Sequence, residues 1–176
     1  MRVYRSLKEV PSAGRVVAIG TFDGVHVGHQ RIISEAVAAA REKKVRSLVM
    51  TFHPHPLSVI APEKCPPILT PLNVKTDLIG KLGVDELLVI PFEKEFSRQS
   101  PAAFCDMLFS PSLGVLQVIV GDNFRFGHKA RGDTEFLKDA GAERGIEVIT
   151  KPLVTAGGKP ISSTRIRNLL IKGELK

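Results

Sequence analysis

Residues 15–52, RVVAIGTFDGVHVGHQRIISEAVAAAREKKVRSLVMTF, decide the fold. They open with RVVAIG (Arg15 to Gly20), an apolar run of strand length. In HQRIISEAVAAAREKK, Ile32, Ile33, Ala36, Val37 and Ala40 then recur at helical spacing, and RSLVMTF (Arg46 to Phe52) reads as a second apolar strand. Strand, helix and strand make one β-α-β unit. Working outward, TPLNVKTDLIGKLG offers Thr70 as an N-cap and Pro71 as the first helical residue, and it leads into the strand ELLVI, Glu86 to Ile90. SPAAFCDMLF repeats the device with Ser100 and Pro101. VLQVIVG (Val115 to Gly121) is a fourth strand, a helix starts near Asp133, and IEVIT (Ile146 to Thr150) is a fifth strand. The alternation predicts an α/β fold: a doubly wound, mostly parallel, Rossmann-like sheet with helices on both faces.

Length and composition limit what such a fold is for. With 176 residues, 43% apolar and 24% charged, residues 1–176 read as a single domain, without internal repeat or linker. No apolar run reaches the ~18 residues of a membrane span, and the polar start MRVYRSLKEVPSAGR lacks the apolar centre of a signal peptide. The expected compartment is the cytoplasm, with no membrane partner. Cys65 and Cys105 stand far apart, so neither a disulfide framework nor a cysteine-rich zinc site is indicated. The 25 Lys and Arg against 18 Asp and Glu give +7, which favours an anionic partner. The basic run REKKVR reads as a solvated helix end, where cations suit the helix dipole.

Ligands of open parallel sheets bind beyond the carboxyl ends of the strands. The segments there read GTFDGVHVGH, FHPHP, PFEKEFSRQS and GDNFRFGHKARGD. In the first, Gly20 and Gly24 permit a tight strand-to-helix turn, and Gly28 lets backbone approach a ligand. A helix N-terminus is a ready phosphate site, and His26 and His29, on one side of the turn, can each offer an imidazole N–H to phosphoryl oxygens. A capping or core histidine pair and a two-ligand metal site are the alternatives; the glutamate of H-E-x-x-H is absent. GGKPISS is not a Walker A loop, because position 153 holds Leu where a glycine is required, and no G-x-G-x-x-G occurs. In ISSTRIR (Ile161 to Arg167), Ser162 or Ser163 can cap a helix whose first turn holds Thr164 and Arg165, after the turn TAGGKP. Ile166, Leu169 and Leu170 are expected to form that helix's buried face.

GTFDGVHVGH and ISSTRIR together resemble the two signatures of the HxGH nucleotidyltransferases. With FHPHP and GDNFRFGHKARGD in order, essentially the whole chain is similar to the FMN adenylyltransferase module of bacterial FAD synthetases. HxGH alone would leave other transferases of the superfamily open, with a different phosphorylated acceptor. The resemblance implies a Rossmann-like nucleotidyltransferase fold and transfer of AMP from ATP to FMN, giving FAD and pyrophosphate. It implies an ATP site at Gly20, Thr21, Phe22, Gly24, His26, Gly28, His29, Ser162, Ser163, Thr164 and Arg165. Among these, His26, His29 and Arg165 would be catalytic. An FMN site is implied at Phe52, His55, Pro56, Asp122, Asn123 and Arg125. Thr21 stands where many relatives carry asparagine, but its hydroxyl can also donate a hydrogen bond.

Family members of the common type continue into a riboflavin kinase domain. That activity is expected on a separate chain or a missing domain. Mg2+ is expected with the phosphates of ATP, since it takes few protein ligands, and no acidic cluster suggests a dedicated cage. A rival from another class is a basic nucleic-acid-binding domain, supported only by the charge. One tyrosine, no tryptophan and no recognised binding motif argue against it, and no nucleic-acid partner is expected.

Overall fold

All five residues of β2 (Arg15–Ile19) are buried in the computed structural model, which describes residues 1–174. Residues 175 and 176 of the expected single domain lie outside the described residues. A pleated strand sends alternate side chains to opposite faces. Val16 and Ala18 therefore enter one apolar cluster, and Val17 and Ile19 the other. A strand covered on both faces accounts for the unbroken apolar run in the sequence.

β2 pairs in parallel with β3 (Arg46–His53) on one side and with β5 (Val115–Gly121) on the other. β4 (Glu86–Pro91) and β1 (Arg2–Tyr4) continue beyond β3, and β6 (Glu147–Lys151) continues beyond β5. The six-stranded order is β1-β4-β3-β2-β5-β6. All five expected strands are present. The sixth, β1, is three residues in a polar segment and leaves no periodic signal. The chain winds from β2 through β3 to β4, then returns to the far side of β2 as β5. This reversal opens a crevice beyond the carboxyl ends of β2 and β5.

α1 (Val27–Glu42) buries Ile33, Ala36, Val37 and Ala40 against the Val16 face, and α3 (Leu72–Gly80) adds Ile79 there. Full burial of a side chain such as Ile33 contributes about 1.5–3 kcal/mol. α5 (Pro101–Leu108) and α6 (Thr134–Ala142) cover the other face with Phe104, Leu108 and Leu137. The Ser100 hydroxyl caps α5 by accepting from the Ala103 N–H at 3.1 Å, as its sequence suggests. α3 differs from expectation: Pro71 is the cap residue, and the Thr70 side chain is committed elsewhere. Two short helices, α2 (Pro56–Ile60) and α4 (Lys94–Ser97), lie in the segments after β3 and β4.

At the amino end of the sheet, the Arg15 guanidinium is fully buried. It donates to Glu86 Oε2 at 2.6 Å and to the carbonyls of Ala13, Leu113 and Pro11. Arg46 donates to the other Glu86 oxygen at 2.7 Å. Burial pushes the Glu86 carboxyl up, but hydrogen bonds from Arg15 and Arg46 outweigh it and hold the group below its ordinary range.

After β6 the expected turn TAGGKP forms a small hairpin, β7 (Thr155–Ala156) and β8 (Lys159–Pro160) with Gly157 and Gly158 between them, and then α7 (Ser163–Lys172) follows. Ser162 is the N-cap and accepts from the Arg165 N–H at 3.2 Å. The buried face expected for α7 is corrected. Leu170 is 50% exposed, Ile166 and Leu169 are half-buried, and the residue the helix buries is Arg167. The reason is an acidic partner far away in the sequence.

Candidate active site

That partner is Asp23, in the loop between β2 and α1. Its carboxylate accepts from the backbone N–H groups of Leu69 (3.1 Å) and Thr70 (2.9 Å), from the Thr70 hydroxyl, and from Arg167 Nη2. Burial pushes the Asp23 carboxyl up, yet the Thr70 and Leu69 N–H groups and Arg167 together hold it below its ordinary value. Arg167 also donates to the Pro67 carbonyl at 2.7 Å, and the Ser163 hydroxyl donates to the Asp23 carbonyl at 2.8 Å. The two signature segments are thereby stitched together. Gly24 makes the loop possible: its φ is +87°, and a Cβ there would come within 2.8 Å of Leu69 Cδ1. Its N–H donates to the Thr70 hydroxyl at 2.9 Å.

Beneath the loop, Lys75 of α3 is buried and donates from Nζ to the Thr21 carbonyl at 2.7 Å; Thr51 donates to the same oxygen at 3.1 Å. Burial lowers the Lys75 pKa. Above it the two histidines stack, with ring centroids 3.6 Å apart and planes 19° from parallel. His26 is the N-cap of α1, its Nδ1 facing the His29 N–H at 3.4 Å. One of the alternatives raised by the sequence, a capping histidine, is thus realised by the residue that also faces the cleft. A Cβ on Gly28 would lie 3.2 Å from the His26 ring, so glycine keeps that ring in place. Burial, with the neighbouring His26 and Lys75 charges, lowers the His29 pKa to about 3. Burial also lowers that of His26. Near neutral pH both imidazoles of the stack are therefore uncharged. His29 Nδ1 is buried and has no hydrogen-bond partner among the described residues.

A cleft of about 470 Å³ opens at this point, beyond the ends of β2, β3, β5 and β6. Its polar wall includes Thr21, His26, His29 and Ser162 to Thr164, so the N-termini of α1 and α7 face one space. The aromatic wall is Phe52, Phe92, Phe96, Phe104, Phe124 and Phe126, a continuous network with neighbouring centroids between 4.9 and 6.5 Å. Such a cavity suits a ligand with a flat ring and several anionic oxygens.

Of the residues expected at ATP, Gly20, Thr21, Phe22, His26, Gly28, His29, Ser162, Ser163 and Thr164 line the cleft; Gly24 and Arg165 do not. Gly24 shapes the loop from behind. Arg165 instead turns to the hairpin, where Nη1 donates to the carbonyls of Ala156 (3.1 Å), Lys159 (2.8 Å) and Pro160 (3.3 Å). Of the residues expected at FMN, Phe52, Pro56, Asn123 and Arg125 line the cleft, and His55 and Asp122 do not. His55 caps α2, its Nδ1 accepting from the Leu57 N–H at 3.2 Å, and Asp122 is exposed. Arg125 pairs at 3.2 Å with Asp133, the N-cap of α6. Sequence reasoning missed Asp23, Thr70, Lys75 and Arg167, and on the aromatic side Phe92, Phe96, Gln99 and Phe104. Asp23 and Arg167 do lie inside the two quoted motifs, and PFEKEFSRQS holds three of the others; for Asp23, Phe92, Phe96 and Gln99, position after a strand's carboxyl end is the signal.

Among the described residues, no three His, Cys, Asp or Glu side chains cluster as a metal site, and no helix is long and apolar enough to cross a membrane.

Comparison with known proteins gives a consistent picture. The family model described as FAD synthetase matches residues 8–165. A bifunctional riboflavin kinase/FMN adenylyltransferase of Escherichia coli is 35% identical over 175 residues, covering 99% of this chain and 56% of the relative. The protein of that description from Listeria monocytogenes is 39% identical over 164 residues, covering 92% of this chain and 51% of the relative. The chain thus spans about half the length of the curated relatives it matches. Among solved structures, a Streptococcus pneumoniae protein described as a macrolide-efflux protein superimposes with a TM-score of 0.84 at 26% identity, over 99% of this chain and 58% of that one. A Francisella tularensis pantoate-beta-alanine ligase, at 15% identity and a TM-score of 0.61 over 96% of this chain and 73% of that one, shares the fold.

Proposed function

The chain belongs to the FAD synthetase family, and from that premise we propose that it transfers AMP from ATP to FMN, giving FAD and pyrophosphate. The observation that carries this reading is the meeting, in one cleft, of two helix N-termini with stacked histidines and of an aromatic wall. An oxygen of the FMN phosphate attacks the α-phosphorus of ATP in line. The new P–O bond forms as the bond to the bridging oxygen of the β-phosphate breaks, and pyrophosphate leaves with that electron pair. The nucleophile is already anionic, so no general base is required, and rate comes from positioning and charge stabilisation.

His26, His29 and the N–H groups of the α1 and α7 first turns receive the triphosphate, with Ser162, Ser163 and Thr164. His29 stabilises charge at the transferring phosphoryl group. It meets the phosphates as a neutral ring, and their negative charge raises its pKa. Arg165 holds the departing pyrophosphate, which requires its Nη1 to exchange hairpin carbonyls for phosphate oxygens. Phe52 and Pro56 border the flavin ring, and Asn123 and Arg125 take its polar rim or phosphate. His55 acts from outside the cleft wall by capping α2, and Asp122 is held beside it by its backbone N–H, which donates to the Lys151 carbonyl at 2.9 Å. Mg2+ would enter with ATP and would supply charge neutralisation to the phosphates beside His26, His29 and Ser162 to Thr164. Riboflavin phosphorylation is assigned outside residues 1–176.

An acceptor panel tests the proposal. With ATP and Mg2+, pyrophosphate release is expected with FMN and not with phosphopantetheine or nicotinamide mononucleotide. Release with one of the latter and not with FMN would assign the chain to another HxGH transferase.

A further inference from the structure

Three buried side-chain atoms have no hydrogen-bond partner among the described residues: His29 Nδ1, Gln117 Oε1 and Gln99 Oε1. His29 belongs to the phosphate side of the cleft. Gln117 lies outside the cleft, and its Nε2 donates to Glu147 at 2.6 Å. Gln99 is different. It sits on the connection between α4 and α5 and lines the cleft together with Phe96 and Phe104 from either side of it. Its main chain is fixed: the N–H donates to the Phe96 carbonyl at 3.2 Å, and the carbonyl accepts from the His128 N–H at 2.7 Å. Its carboxamide makes no hydrogen bond at either end among the described residues.

A buried amide oxygen without a donor is destabilising, and native proteins satisfy nearly all such groups. Where one remains beside a ligand cavity, the ligand is the natural source of the missing donor. FMN supplies one. The pyrimidine edge of an oxidised isoalloxazine presents a single N–H, at N3, between two carbonyl oxygens. That pattern complements a carboxamide, whose oxygen can accept from N3–H while its NH2 donates to an adjacent carbonyl. The dimethylbenzene end has no polar group and needs only apolar surface.

We propose that Gln99 is a specificity residue for the acceptor, recognising the N3–H edge of the flavin ring inside the aromatic wall. The assignment rests on the FMN reading above. It also leaves Asn123 and Arg125, both exposed at the rim, for the ribityl phosphate.

The test compares the wild type with Gln99→Leu, using FMN and N3-methyl-FMN. Calorimetry is expected to show FMN binding weakened about tenfold by the substitution, on the scale of one hydrogen bond, with ATP binding unchanged within about twofold. N3-methyl-FMN should bind the wild type about tenfold more weakly than FMN, and the variant should no longer distinguish the two flavins. Relief of an unpaired buried oxygen should also raise the Tm of the ligand-free variant by about 2–4 °C. Gln99→Met provides the same comparison if the branched side chain does not fit. Unchanged FMN affinity in the variant, equal discrimination of the methylated flavin by both proteins, or a Tm that falls would overturn the inference. A wild type that binds no FMN would overturn the underlying reading and this inference with it.

Discussion

Two arginine–carboxylate pairs are buried at opposite ends of one sheet, and they do different work. At the amino end, Arg15 and Glu86 reach across β3 between strands already held by backbone ladders. At the carboxyl end, Asp23 and Arg167 join residues 144 apart, and α7 is tied to the loop after β2 through this pair and the Ser163 hydroxyl rather than through a buried apolar face. Leu170 and Ile171 are 50% and 74% exposed. The first pair is redundant with the geometry around it; the second creates geometry. Breaking a buried pair by removing one partner leaves the other charge stranded. The consequence should therefore be global at one end and local at the other, where α7 can open without the sheet.

The largest expected effect follows directly. Glu86→Ala should cost about 3–5 kcal/mol in denaturant unfolding while the folded protein keeps its kcat. Asp23→Ala should lower stability less, because α7 detaches locally, yet reduce kcat/KM for ATP by at least ~10²-fold. Equal losses of activity in the two variants would erase the distinction. Next in size, His29→Ala should lower kcat by ~10²-fold with less effect on FMN binding, the scale for losing a preorganised donor. Near-normal turnover would remove His29 from the chemistry.

A smaller effect concerns pH. His29 has a folded pKa of about 3, below its unfolded value near 6.5. Above pH 6.5 both states are neutral there and the contribution to stability is complete; between about 6.5 and 3 only the unfolded chain takes up the proton, so stability falls as pH falls. Between pH 7 and pH 5 the wild type should lose roughly 4 °C more in Tm than His29→Asn. Parallel Tm curves would contradict a buried neutral imidazole. The smallest effect is expected for Asn123→Ala, with FMN affinity reduced several-fold, up to about tenfold, and ATP affinity kept. The reverse pattern in calorimetry would exchange the two subsites.

Much of the fold was legible because its signals are local. The apolar run of β2, the spacing of Ile33, Ala36, Val37 and Ala40, and the Ser100 cap each need only a short window of sequence. The failures share one cause, a partner distant in the chain. Thr70 looks like a cap, but its hydroxyl is taken by Asp23 and Gly24. The apolar residues of α7 suggest a buried face, but the Asp23 carboxylate draws in Arg167 instead. Arg165 is a separate case, because its hydrogen-bond partners in the hairpin, Ala156, Lys159 and Pro160, lie only 9, 6 and 5 residues away. On the aromatic side, Phe52 ends a strand and so signals its position, whereas Phe96 and Gln99 come from a charged segment whose path depends on tertiary packing.

The central claim is that the histidine mouth and the aromatic wall form a single active site that joins AMP to FMN. Chromatography of flavins after incubation with ATP and Mg2+ tests it most directly. FMN should be converted to FAD, and riboflavin, which lacks the attacking phosphate oxygen, should be recovered unchanged. FMN recovered intact under conditions where the chain binds ATP would contradict the claim.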